Sequence, residues 1–211
     1  EVRAMGRECY AVKADVTKEE EVNNIFDVCI REFGRLDILA HASGIIFSAN
    51  VSDMPVDKWK HIIDVNLNGS LYATKCAVNL MIPNRYGKLI LLDFCAPKTG
   101  EPGNSAYSAT KGGVHMLGNV LSYEVAQYNI NVNTIAPGTI RTPMIEEVIR
   151  SRSELQGVTP EQWAKTFNEM TPLKRMGEPW EVGALAVFLA SDASAFITGC
   201  SINIAGGREV H

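Results

Sequence analysis

Tyr107-Ser108-Ala109-Thr110-Lys111 sets a phenol and an ammonium four residues apart. At the start of a helix that spacing puts both groups on one face. A tyrosine with an ordinary pKa of about 10 exchanges protons poorly at neutral pH, and a cation a few ångströms away stabilises its phenolate. The pair could then shuttle a proton to or from a carbinol oxygen. Spacing alone is a weak signal, since Tyr and Lys also pair this way on ordinary surface helices. Its weight comes from its place, after a strand-like run and at the mouth of a helix.

Stepping outward, short apolar runs alternate along the chain with longer stretches whose apolar residues recur three and four apart. That alternation argues for α/β architecture: a three-layer, doubly wound parallel sheet. The expected strands are 9–14, 36–40, 88–92, 130–135 and 200–204, and the expected crossover helices are 18–33, 56–81, 108–128 and 179–189. Thr17 before Lys18-Glu19-Glu20 reads as a capping box, and Gly34 reads as a helix stop. Residues 143–178, polar and broken by Pro143, Gly157, Pro160 and Pro172, read as a lid within a single domain spanning 1–211.

In such a sheet ligands bind outside the carboxyl ends of the strands. The residues to inspect there are Asp15-Val16, His41-Ala42-Ser43-Gly44, Asp93-Phe94-Cys95 and Ala136-Pro137-Gly138-Thr139-Ile140-Arg141-Thr142. At Gly44 and Gly138 the backbone could lie close against a ligand.

Composition narrows the function classes. Twenty basic residues against twenty-four acidic ones, with no basic cluster, give a net charge of −4 and no electrostatic footprint for nucleic acid or an anionic membrane. The apolar runs are too short to span a bilayer. Five cysteines, odd in number and without a C-x-x-C pair, fit reduced thiols in a cytoplasmic protein with no metal site. His61 and His115 fall in helical stretches and read as surface or interface residues.

Taken together, Asp15-Val16-Thr17, Leu36-Asp37-Ile38-Leu39 running into Ala42-Ser43-Gly44, Asp64-Val65-Asn66-Leu67-Asn68-Gly69, Tyr107 to Lys111, Asn131-Val132-Asn133 with Pro137-Gly138, and Thr198-Gly199 with Ala205-Gly206-Gly207 resemble the short-chain dehydrogenase/reductase family over nearly the whole chain. The resemblance implies reversible hydride transfer between NAD or NADP and a small-molecule secondary alcohol or ketone. It makes Tyr107 the general acid/base, and Lys111 a ligand of the nicotinamide ribose that also lowers the Tyr pKa. Asn66 would hold a proton-relaying water. Asp15 and Val16 would meet the adenine, Ala42, Ser43 and Gly44 the adenosine ribose, and Ile140 and Thr142, beyond Pro137-Gly138, the nicotinamide carboxamide. It also implies a homodimer or homotetramer built on 56–81 and 108–128. The long lid and the turn at 98–102 are more similar to the polyol and diol branch than to the acyl-carrier branch.

The sequence departs from the family pattern in three places. The family's opening strand, Gly-rich turn, helix and second strand have no counterpart in these residues, on the order of forty positions. The sheet is therefore expected to lack its first β-α-β unit. The strand expected at 9–14 would stand roughly 14 Å from its neighbour, so poor folding or altered pairing is expected. The second departure is Phe94, which occupies the position of a substrate-binding Ser and donates no hydrogen bond. Cys95 flanks it on the substrate side but, like Asp93, points to the opposite face of the strand, which leaves Asn104 or Ser105 to reach in. Third, His41-Ala42-Ser43-Gly44 replaces an Asn-rich turn whose contacts are largely backbone. The rival expectation is a catalytically impaired paralogue acting as a nucleotide-binding or assembly subunit.

Overall fold

The computed structural model describes residues 1–94 and 102–208; Cys95 and positions 98–101 of the expected turn lie outside the described residues. Four strands, β1 (Ile38–His41), β2 (Gly87–Leu92), β3 (Ile130–Pro137) and β4 (Ser201–Ile204), pair in that order, all parallel. The register sets Ala40 beside Ile90, Ile90 beside Asn133, and Ile135 beside Ile202.

Seven helices are placed among the described residues: α1 (Glu19–Phe33), α2 (Val56–Ile63), α3 (Gly69–Met81), α4 (Ser105–Val125), α5 (Pro143–Gln156), α6 (Pro160–Met170) and α7 (Pro179–Ala190). Strand alternation sends successive residues to opposite faces. Leu89 and Val132 therefore pack with Val22 and Phe26 of α1, Ala77 and Met81 of α3, and Val125 of α4. Ile90 and Ile135 pack on the other face against Leu189 of α7. This is the layered arrangement expected from the alternating pattern.

Three local expectations change. Residues 9–14 form no strand; a strand exists by its ladder, and no neighbour pairs with this segment among the described residues. The four strands beyond it nevertheless pair in sequence order, so the sheet is not rearranged.

The start of α1 is not a Thr17 capping box. Lys18 is the N-cap without a side-chain bond, while the Glu21 carboxylate accepts the Asp15 N–H (2.7 Å) and Asp15 accepts from the Thr17 hydroxyl (2.8 Å). Gly34 does end the helix in the left-handed region, φ 76°.

The single helix expected over 56–81 is two helices joined by a π turn, Asp64–Asn68, in which the Gly69 N–H reaches the Asp64 carbonyl. Such a turn accommodates one extra residue and re-aims the side chains it carries. Here it turns Asn66 fully inward.

Candidate active site

A cavity of about 450 Å³ opens at the carboxyl ends of β1, β2 and β3. Its lining takes Ala42, Gly44, Pro137, Gly138, Thr139, Ile140 and Thr142 from the loops after the strands, together with an apolar wall of Ile46, Phe94, Met144, Ile145, Val148 and Phe167. Asp93, Tyr107 and Lys111 line it as well.

α4 begins at Ser105, three residues before the expected start, so Tyr107 and Lys111 stand in its first two turns. Both line the cavity, with the Lys111 Nζ 5.7 Å from the centre of the Tyr107 ring. Lys111 is 5% exposed and donates to the Leu92 carbonyl at 2.6 Å. Burial pulls its pKa down to about 8, while the Asp93 charge acts in the opposite direction. An ammonium so close to neutrality is poised to respond to its surroundings.

Asn66 clamps the loop that follows β1. Its Oδ1 accepts the Ile45 N–H (2.8 Å), and its Nδ2 donates to the Ile45 carbonyl (2.9 Å) and to Thr110 Oγ1 (3.1 Å). Both amide hydrogens are thereby committed to protein acceptors. A Cβ added to Gly44 would stand 3.5 Å from Asn66 Oδ1 and 3.6 Å from Lys111 Nζ, so this backbone lies directly over the amine. At Gly138 a Cβ would meet the Ala205 Cα at 2.8 Å. Gly44 and Gly138 both line the cavity, and Gly138 lets the loop after β3 pack directly on Ala205.

The structure brings together Tyr107, Lys111, Ala42, Gly44, Pro137, Gly138, Ile140, Thr142, Phe94 and Asn104 around one cavity, with Asn66 behind them. Ser43, Asp15 and Val16 do not line it. Asp15 is engaged with Thr17 and Glu21, and Val16 packs on the start of α3 beside Gly69. Asn104, buried at the N-cap of α4, accepts from Ser48 Oγ at 3.1 Å.

Two features went unseen in the sequence. The apolar wall comes from the packing of α5 on α6, where Val148, Phe167 and Met176 form a separate small core against Ile46. The other is the partner of His115. Its Nδ1 lies 3.0 Å from Asp93 Oδ2, whose side chain is fully buried. The signal for it was the continuation of the Tyr-Lys spacing by another four residues.

Four parallel strands covered by helices on both faces, with a Tyr-Lys pair over their carboxyl ends, define an oxidoreductase of the Rossmann class. The family model described as Enoyl-(Acyl carrier protein) reductase matches residues 1–209. The chain is 34% identical over 196 residues to 3-oxoacyl-(acyl-carrier-protein) reductase FabG of Thermotoga maritima, covering 93% of this chain and 75% of that protein. It is 33% identical over 198 residues to D-beta-hydroxybutyrate dehydrogenase of Rhizobium meliloti, covering 92% and 76%. Its structure is similar to that of sorbitol-6-phosphate 2-dehydrogenase from Erwinia amylovora, with TM-score 0.91, 30% identity, and coverage of 96% of this chain and 80% of that one. The chain belongs to the short-chain dehydrogenase/reductase family. Among the described residues no helix is long and apolar enough to cross a membrane, and no group of His, Cys, Asp and Glu could hold a metal ion.

Proposed function

We propose that the chain is an NAD- or NADP-dependent oxidoreductase that interconverts a secondary alcohol and a ketone. The observation that carries this reading is that Tyr107 and Lys111, one turn apart on α4, line the same cavity as the bare backbones of Gly44 and Gly138. Ala42, Gly44, Pro137, Gly138, Ile140 and Thr142 would hold the nicotinamide end of the cofactor, with Lys111 donating to its ribose. When bound, that cofactor supplies or accepts the hydride.

Tyr107 then holds the proton at the substrate oxygen, giving it up as a carbonyl is reduced and taking it back as a carbinol is oxidised. The Lys111 charge stabilises the phenolate between these two states. Asn66 acts by position: its clamp on Ile45 sets the Gly44 backbone over the amine.

The apolar wall supports a substrate with an apolar body over a polyol or ketose. Burying sugar hydroxyls against Phe94, Met144, Val148 and Phe167 would leave them without partners. Residues 143–178, whose two helices carry most of that wall, would act as the lid of a single domain, excluding water from the reaction. The faces of α2 and α4 leave Val56, Met116, Val120 and Tyr123 exposed, and a homodimer or homotetramer would cover them. The free thiols fit a reducing, cytoplasmic setting.

A second reading is favoured by Phe94. With a phenyl ring where a hydroxyl donor would bind the substrate oxygen, the site would bind nucleotide and turn over slowly or not at all. Assay of apolar ketones and secondary alcohols with NADH, NADPH and their oxidised forms decides between them. Turnover abolished by Tyr107→Phe supports the enzyme, whereas calorimetric cofactor binding without turnover supports the second reading.

A further inference from the structure

Asp93 lines the cavity that holds Tyr107 and Lys111, and His115 pairs with it. Asp93 follows β2, its side chain fully buried, with Oδ1 accepting the N–H of Phe94 at 2.6 Å. Its other oxygen faces His115 Nδ1 at 3.0 Å, one helical turn beyond Lys111. With the carboxylate accepting, the imidazole is the donor. His115 is 28% exposed, so the pair runs from a dry interior to the protein surface.

We propose that Asp93 and His115 are positioning residues for Lys111: the carboxylate is the buried counter-charge that keeps the amine an ammonium, and the imidazole keeps that carboxylate ionised. The proposal rests on the enzyme reading for its consequence in turnover, though not for its physical basis.

The charged and titratable groups facing Lys111 are Asp93 from the end of β2, His41 from β1 and Tyr107 on α4 itself. His41 is held neutral by burial, its pKa down at about 4, and offers no counter-charge. Lys111 Nζ bonds the carbonyl of Leu92, the residue before Asp93, and Asp93 is left as the anion that opposes the desolvation of the amine. Asp93 in turn is faced by Lys111 and His115, both on α4. Burial pushes its carboxyl up; the Phe94 N–H and then His115 pull it back down. A buried carboxylate without those partners would take up a proton and cease to support the lysine.

The test is a heteronuclear NMR titration of the Lys111 side chain in the full-length chain, with Lys111→Arg to assign the signal, alongside the pH profile of turnover. Asp93→Asn, which preserves shape, is expected to lower the Lys111 midpoint by about a unit or more. His115→Leu is expected to lower it by a smaller amount, and His115→Gln, which can still donate, to restore most of the loss. In turnover the alkaline limb should move to lower pH by the same interval, a roughly ten-fold fall in kcat/KM at fixed alkaline pH for each unit. A Lys111 midpoint unmoved in Asp93→Asn and His115→Leu overturns the proposal, and one moved only by the Asp93 change overturns the part given to His115. Should Asp93→Asn not fold, the part-exposed His115 variants carry the test. Because the NMR midpoint needs no substrate, absence of turnover would count against the enzyme reading and leave this one decidable.

Discussion

The ring of Phe94 meets the ring of Tyr107 edge to face, with 5.3 Å between their centres and 69° between their planes. This contact covers one side of the phenol with an aromatic ring that donates no hydrogen bond. Phe94→Ser removes the ring and offers a hydroxyl at the end of β2. If the enzyme reading holds, kcat/KM for a ketone should rise by about a hundred-fold, the scale of one well-placed donor to a developing oxyanion. Steady-state kinetics on Phe94→Ser and Phe94→Ala separates the donor from the space: an equal gain in both would mean that steric relief, not hydrogen bonding, was limiting.

His41 ties the stability of the site to acid. Burial, followed by the nearby Lys111 charge, holds its pKa at about 4 against an ordinary 6.5. The folded chain keeps this imidazole neutral while the unfolded chain protonates it below pH 6.5. Stability from this group is therefore complete above that value and is lost as the pH falls toward 4, by at most ~3 kcal/mol. Urea midpoints at pH 7 and pH 4.5 should separate less in His41→Asn than in the parent chain. An equal separation would assign the acid sensitivity to carboxylates instead.

The sheet was legible because its strands are short apolar runs between helical stretches, and four of the five expected strands form. The fifth, at 9–14, has the right residues but no ladder neighbour, and neighbours are not written in a local pattern. The Tyr107-Lys111 pair was legible because four-residue spacing on a helix is a local fact. The clamp from Asn66 to Ile45 and the pairing of Asp93 with His115 join residues 21 and 22 positions apart. A π turn and the crossing of α4 over the end of β2 bring these together, so a helical stretch alone reads His115 as a surface or interface residue.

Removing the Asn66 side chain tests how the loop after β1 is held. Asn66→Ala leaves the N–H and carbonyl of Ile45 without their side-chain partner, while the Thr110 hydroxyl keeps its bond to the Tyr107 carbonyl. Leaving such groups unsatisfied costs about 2 kcal/mol or more. The loop carrying Gly44 should loosen as well, so cofactor affinity measured by calorimetry should fall together with the denaturant midpoint. A drop in stability with unchanged cofactor affinity would make Asn66 a purely structural residue.

Gly138 offers the sharpest test of the floor of the site. Its N–H donates to the Ile204 carbonyl at 3.0 Å, which draws the end of β3 against the residue that follows β4. A methyl group there would fall 2.8 Å from the Ala205 Cα and 2.9 Å from its Cβ. The Cα is backbone and the Cβ is fixed to it directly, so neither can swing aside as the tip of a long side chain would. Gly138→Ala should therefore part the two segments and cost roughly 1–3 kcal/mol, the range for forcing a methyl into packed structure. The displaced loop also carries Thr139, Ile140 and Thr142, so cofactor affinity should fall even under conditions where the variant remains folded. The paired change Gly138→Ala with Ala205→Gly removes one of the two clashing atoms and leaves the clash with the backbone carbon. It should recover only part of the stability, and full recovery would show that the side-chain methyl, not the approach of the backbones, sets the requirement for glycine.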